Sequence, residues 1–147
     1  MKTLFEPDTR SSINDRNDRL EPNSAGLWGS MQAGQMVCHV ADQLRLALGE
    51  LKTESTPGLL RFKVLRHIPL YWLPWPKGVA TAPEMLTTTP AQWREDVATL
   101  HALVDRVGER SPAAEWGAHP MFGLMSGQEW ARLSRKHLDH HLTQFGV

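Results

Sequence analysis

The sequence predicts an all-α protein, a bundle of four helices with a short extra helix or proline-rich loop between helices two and three. Capping-box signatures open two segments, and behind each of them apolar residues recur at alternating spacings of three and four. The chain, 1–147, has no low-complexity tract, no repeat of fixed period and no linker. It therefore reads as one domain.

The first helix, around Pro7 to Leu20, is polar and weakly patterned, with Leu4, Phe5, Ile13 and Leu20 as its apolar anchors. A second runs from about Ser30 to Gly49. Met36, Val40, Leu44, Ala47 and Leu48 form its apolar face, and His39 lies at the flank beside Met36 and Leu46. Residues 57–76 mix apolar and basic side chains with aromatic rings, which suggests a short helix ending near His67 and then a loop stiffened by Pro69, Pro74 and Pro76. The third long helix is expected to begin at Thr89, because Thr89-Pro90-Ala91-Gln92 is a capping box with proline at the first helical position. Trp93, Val97, Leu100, Val104 and Val107 then make one stripe, and Gly108 supplies a stop. In the last helix Ser126-Gly127-Gln128-Glu129 is a second capping box and Met125 staples onto Trp130. Trp130, Leu133, His137, His141 and Phe145 follow its core register.

Composition removes several function classes. Sixteen basic and sixteen acidic residues cancel, so no global field favours nucleic acid or an anionic membrane. The arginines near residues 61–66 and 132–136 are too sparse to track phosphates. Neither nucleic acid nor membrane is an expected partner. A lone cysteine, Cys38, forms no internal disulfide and suits a reducing, cytoplasmic setting. The start, MKTLFEPDTR, lacks the apolar stretch of a signal peptide. RFKVLRHIPLYWLPW carries cations and rings that suit a membrane interface, but its prolines interrupt any long amphipathic helix, so packing in the core or a pocket is its expected use. Trp28, Trp93 and Trp130 are explained by packing; Trp72 and Trp75 are the candidates for a pocket wall.

The informative stretch is KHLDHHLTQ, which puts three histidines into five consecutive positions of a helix built for burial. A single histidine on an apolar helix face is more often a hydrogen-bonded core residue than a ligand. Two at core register, one turn apart, shift that balance. Each buried neutral imidazole must satisfy both ring nitrogens or lose about 1–3 kcal/mol, and one metal ion satisfies a nitrogen on both at once. Residues four apart differ by about 40° in azimuth, so His137 and His141 can face one ion, whereas His140 is about 100° away and falls at the edge. A further ligand must come from another helix, and His39 is the strongest candidate. Asp42, one turn beyond it, could fix a ligand tautomer or be a solvated charge. Cys38 is rotated by about 100° from His39 and reads as a small buried hydrophobe.

These stretches also resemble a known family. WGSMQAGQMVCHVADQL is similar to the second helix of the DinB-like superfamily, HLDHHLTQF to its fourth, and HPMFGLMSGQEW to the segment ahead of that helix in one of its branches. The similarity runs from about Leu20 to Phe145. It implies a DinB-like four-helix bundle with a divalent metal, often zinc or nickel, on His39, His137 and His141. Some relatives are thiol-dependent transferases or isomerases using bacillithiol, mycothiol or glutathione, and relatives are often dimers, which implies a homodimer here.

Three imidazoles leave coordination places open, as in catalytic rather than structural zinc. The expected function is a metal-dependent thiol S-transferase, or a related small-molecule enzyme, acting on a low-molecular-weight thiol and an electrophile. Hydrolysis would need a general base near the metal. Gln35 cannot serve as one, and Glu129 belongs to its capping box. The alternative is a non-catalytic, metal-stabilised bundle that binds a ligand during stress. His119, followed by Pro120, reads as a loop-fixing residue, and His67 and His101 as structural or exposed.

Overall fold

A computed structural model describes residues 2–54, 58–75, 77, 86 and 88–147. Its helices are α1 (Pro7–Asn17), α2 (Ala33–Leu48), α3 (Lys63–His67), α4 (Trp93–Glu109) and α5 (Gly127–Gln144). A 3-10 turn, Leu59–Arg61, precedes α3, and a π-helical turn, Ile68–Trp72, follows it. The long helices pack on one another, α2 against α4 and α5, and α1 against the same two. This is the expected all-α bundle with its short extra helix. The addition is a two-residue antiparallel ladder, β1 (Ala118–His119) with β2 (Gly123–Leu124), where Ala118 pairs with Leu124 and His119 with Gly123. Among the described residues no helix is long and apolar enough to cross a membrane.

The stripes meet in one apolar cluster. Met36, Val40 and Leu44 of α2 join Leu100, Val104 and Val107 of α4 and Leu138 and Leu142 of α5. Polar α1 contributes Ile13 to it and is otherwise tied on by arginines. Arg16 donates to Asp139 Oδ1 at 2.6 Å and to the Val147 carbonyl at 2.7 Å, and Arg10 donates to the Leu4 carbonyl at 2.9 Å.

Helix α2 starts at Ala33 rather than near Ser30, with Gln32 and Gln35 forming its capping box, and three further boundaries differ from the sequence expectation. Helix α4 starts at Trp93, and the Thr89 box does not form. Residues 88–92 instead form no helix and lie against α2. Thr88 donates to Asp42 Oδ1 at 2.8 Å, and Pro90 lies so close to Gly34 that a Cβ there would meet it at 3.2 Å. Asp96 then reaches back to accept from the Ala91 N–H at 3.0 Å. Gly108 does not stop α4, which continues to Glu109. A side chain at 108 would collide with the Leu4 carbonyl and Arg10, so this glycine lets the N-terminal segment lie against the helix. Helix α1 ends at Asn17, and a turn closed by Leu20 N–H to Asn17 O (3.1 Å) carries the chain to Leu20.

The segment after α2 also departs from its expected use. Arg66 and Leu70, one turn apart, face inward, whereas Val64, Ile68 and Trp72 form an outward stripe exposed by 81%, 49% and 81%. Pro69 sits inside a π-helical turn closed by Leu73 N–H to Ile68 O at 3.2 Å, and Lys136 donates to the Pro69 and Leu73 carbonyls. Pro76 lies outside the described residues.

Inward-facing Arg66 anchors the start of α5. Its guanidinium binds Glu129 through Nε at 3.0 Å and Nη2 at 3.1 Å, and Nη1 donates to the Phe122 and Leu124 carbonyls of the hairpin. Glu129 closes the expected capping box as well, accepting from the Ser126 N–H at 2.8 Å. Burial alone would raise its pKa, but the bonds from Ser126 and Arg66 hold it below the usual carboxylate range. Met125 and Trp130 share a second apolar cluster, as a staple requires. His119 fixes the hairpin loop, its Nδ1 accepting from the Met121 and Phe122 N–H groups at 3.1 and 3.2 Å.

Two stability outcomes follow. Glu129→Ala leaves the Arg66 charge buried and unpaired and removes a cap, and is expected to cost about 3–5 kcal/mol in urea denaturation. Burial lowers the pKa of His119 from 6.5 to about 4. Between those values the unfolded chain binds more protons, so stability is full above pH 6.5 and falls as the pH drops toward 4. That loss should reach about 3 kcal/mol, and His119→Gln should have an acid limb shallower by that amount than wild type in urea titrations at a series of pH values.

Candidate metal centre

Helix α2 carries His39 in its middle, and α5 carries His137 and His141 one turn apart on the face that meets α2. Gln43, one turn beyond His39, donates to Ser134 Oγ of α5 at 3.1 Å. That buried bond and the surrounding leucines hold the two helices in the register that brings the imidazoles together. The three rings are 2%, 5% and 8% exposed.

Their edges converge. His137 Nε2 lies 3.1 Å from His39 Nε2 and 3.1 Å from His141 Nε2. Ring centroids are 4.6–4.9 Å apart and every pair of planes is inclined by 80–84°, like three faces meeting at the corner of a cube. Among the described residues this is the group of His, Cys, Asp and Glu side chains that could hold a metal ion.

The donor set fits such an ion. Burial, followed by repulsion from His141 and His39, drives the His137 pKa well below its ordinary value. Burial and then His39 lower His141 to about 4, against the raising effect of its bond to Gln144. Both are thus neutral near pH 7 and offer lone pairs. His137 Nε2 has one in-plane site, holding either a proton or a lone pair, yet faces two other ring nitrogens. A linear hydrogen bond to both is impossible, whereas a cation between the three accepts all their lone pairs at once. Three nitrogens at about 2.0–2.1 Å from a tetrahedral zinc lie roughly 3.3–3.4 Å apart, close to the two 3.1 Å separations from His137, and all three ligand atoms lie within 4.8 Å of one another. His137 Nδ1 is buried without a hydrogen-bond partner.

The surroundings sort the remaining candidates. Asp42 Oδ1 is taken by Arg45 at 2.7 Å and Thr88 at 2.8 Å, so the aspartate pins the segment before α4. Cys38 is buried and lies outside the cluster, with burial pushing its thiol pKa up. Gln35 Oε1 accepts from the Gln32 N–H at 3.0 Å, capping α2. His140 sits at the edge, its ring 5.1 Å from that of His141 and 5.8 Å from that of Trp28, where burial and then Lys77 lower its pKa. The ring of Trp75 packs 5.3 Å from that of His137, whereas Trp72 points to solvent.

One residue beside the site escaped the sequence reading. Gln144 lies 2.8 Å from His141 Nδ1 through Oε1, and its Nε2 donates to the Trp28 carbonyl at 2.8 Å. The signal was available: Gln144 is three residues after His141, which places the two on one helix face.

A helical bundle with a buried three-imidazole cluster across two helices defines a class of candidate metalloproteins. Within it, the DinB superfamily pattern matches residues 28–145, and the chain belongs to that superfamily. No curated protein and no solved structure matches the chain.

If the cluster holds an ion, elemental analysis of purified protein will find close to one divalent metal per chain. His141→Ala should retain a small fraction of it while keeping its helical circular dichroism. Full metal retention would remove His141 from the ligand set.

Proposed function

We propose that the protein is a metal-dependent enzyme that joins a low-molecular-weight thiol to an electrophile, using zinc or nickel held by His39, His137 and His141. The observation that carries this reading is the convergence of three buried ring nitrogens with a three-residue donor set, which leaves room in the coordination sphere for an outside ligand. A divalent ion supplies Lewis acidity, lowering the pKa of a coordinated thiol toward neutrality.

The chain's own residues have the remaining tasks. Burial keeps His137 and His141 neutral, so protons do not compete for their lone pairs near pH 7. Trp75 shields His137. Lys77 Nζ lies 4.0 Å over the Trp28 ring, beside His140, and suits a carboxylate-bearing thiol such as glutathione. Two buried carboxylates are committed elsewhere, which argues against hydrolysis: Asp42 Oδ1 is engaged by Arg45 and Thr88, and Glu129 by Arg66 and Ser126. A thiol needs less help than water, since its sulfur is already the better nucleophile. In the reaction the sulfur bonds to the electrophilic carbon, the S–H proton passes to solvent, and the leaving group departs with the electrons of the bond it breaks.

The test is turnover of a reactive alkylating electrophile by metal-loaded protein with glutathione, bacillithiol or mycothiol. We expect saturable dependence on at least one thiol, and a loss of 100-fold or more, on the order expected for losing a metal site, in folded His39→Ala. Metal-loaded protein that shows no thiol dependence would leave the non-catalytic ligand-binding bundle as the better description.

A further inference from the structure

We propose that Gln144 sets the tautomer of His141, and that the loop through Trp28 and Gly29 sets Gln144. This rests on the metal reading of the histidine cluster for its purpose, though not for its geometry.

The geometry is a chain of forced choices. The Trp28 carbonyl oxygen can only accept a hydrogen bond, so the Gln144 atom 2.8 Å from it is the amide nitrogen. This fixes the orientation of a side-chain amide whose two ends are otherwise hard to tell apart. The other end, Oε1, can only accept, and it lies 2.8 Å from His141 Nδ1. Nδ1 therefore carries the proton of the neutral ring, and Nε2 is left with a bare lone pair. That lone pair belongs to the nitrogen that points into the cluster, 3.1 Å from His137 Nε2. The opposite tautomer would set two acceptors against each other at Gln144 and point an N–H at the place where a cation belongs.

Gln144 has little freedom to do otherwise. It is 6% exposed, so water competes poorly for either end. Its backbone carbonyl accepts from the Leu27 N–H at 2.7 Å, which gives the loop a second hold on the same residue. The approach depends on Gly29, which has φ +76°, and a Cβ there would stand 2.8 Å from Gln144 Nε2. A residue with a side chain would strain that backbone and push the amide away. The loop, more than a hundred residues before His141 and contributing none of the three cluster side chains, thus fixes which nitrogen of His141 faces inward. Gln144 is a positioning residue.

One consequence reaches His137. With a lone pair on His141 Nε2, the 3.1 Å contact becomes a hydrogen bond only when His137 Nε2 bears its proton. His137 Nδ1, buried and unpartnered, then holds a lone pair in the metal-free protein.

The test is the tautomer itself, read by long-range proton–nitrogen NMR of histidine-labelled, metal-free, full-length protein. Wild type should show His141 protonated at Nδ1. Gln144→Leu should shift it toward a mixture and weaken zinc binding by about 10–100-fold, the usual effect of losing a bond that orients a ligand. Gln144→Glu keeps an acceptor for Nδ1 but loses the donor to Trp28. It should restore the tautomer and most of the zinc affinity while remaining less heat-stable than wild type, a split that a merely structural role does not produce. Gly29→Ala should weaken zinc binding without touching a ligand. An Nε2-protonated His141 in the wild type overturns the proposal, and this arm stands even if the leucine variant fails to fold. Unchanged tautomer and affinity in a folded Gln144→Leu overturn it too. If wild type binds no divalent ion but its Nδ1 proton still depends on Gln144, the metal reading falls and the positioning role survives.

Discussion

Three imidazole edges directed at one buried point are the constraint on which the rest of this molecule depends. Left alone, such an arrangement is unfavourable. One ring nitrogen faces two others at 3.1 Å and can form a linear hydrogen bond with only one of them, and burial excludes the water that would compensate. It persists because the apolar packing of α2, α4 and α5 and the Gln43–Ser134 bond hold the helices regardless of what the histidines prefer. Free energy from the leucine core thus maintains a site that is poised for a cation.

Keeping α5 in register is the main task of the surrounding structure. A rotation equivalent to one residue turns a helix by about 100° and would swing both His137 and His141 off the α2 face. The helix is clamped at both ends. At its start, Glu129 joins the cap to Arg66 and, through it, to the hairpin carbonyls. At its finish, Gln144 joins the loop at residues 27–28 through side chain and backbone. The α3 segment and the hairpin, peripheral in position, therefore bear directly on the geometry of the cluster.

Much of this was legible in the sequence wherever the signal was local and periodic. The Ser126–Glu129 box, the Met125–Trp130 staple and the core register of Trp130, Leu133, His137 and His141 all describe α5 as it is. His39 was singled out because a further ligand beside His137 and His141 had to come from another helix, and the structure places its ring in the cluster. What stayed hidden is non-local. Nothing beside Thr89 reveals that Pro90 will lie on Gly34 and Thr88 on Asp42, which keeps the chain non-helical where a proline-led box suggests a helix. Gly108 resembles a stop until Leu4 and Arg10 are seen to occupy the space of its missing side chain. Asp42 had the spacing to orient a ligand, but its neighbours Arg45 and Thr88 decide where its oxygen points. Arg66 carries no local mark of the carboxylate sixty-three positions away that makes it a buried residue.

The outward stripe of Val64, Ile68 and Trp72 has its own effect on how the protein behaves in solution. Positive and negative side chains balance across the chain, so little long-range repulsion keeps molecules apart near neutral pH. Contacts between these apolar faces are then opposed only by mixing entropy, and strongly hydrated salts such as sulfate strengthen them. With Leu59 and Phe62 also exposed just ahead of it, this stripe favours self-association, and concentrated samples will keep best in dilute, sulfate-free buffers.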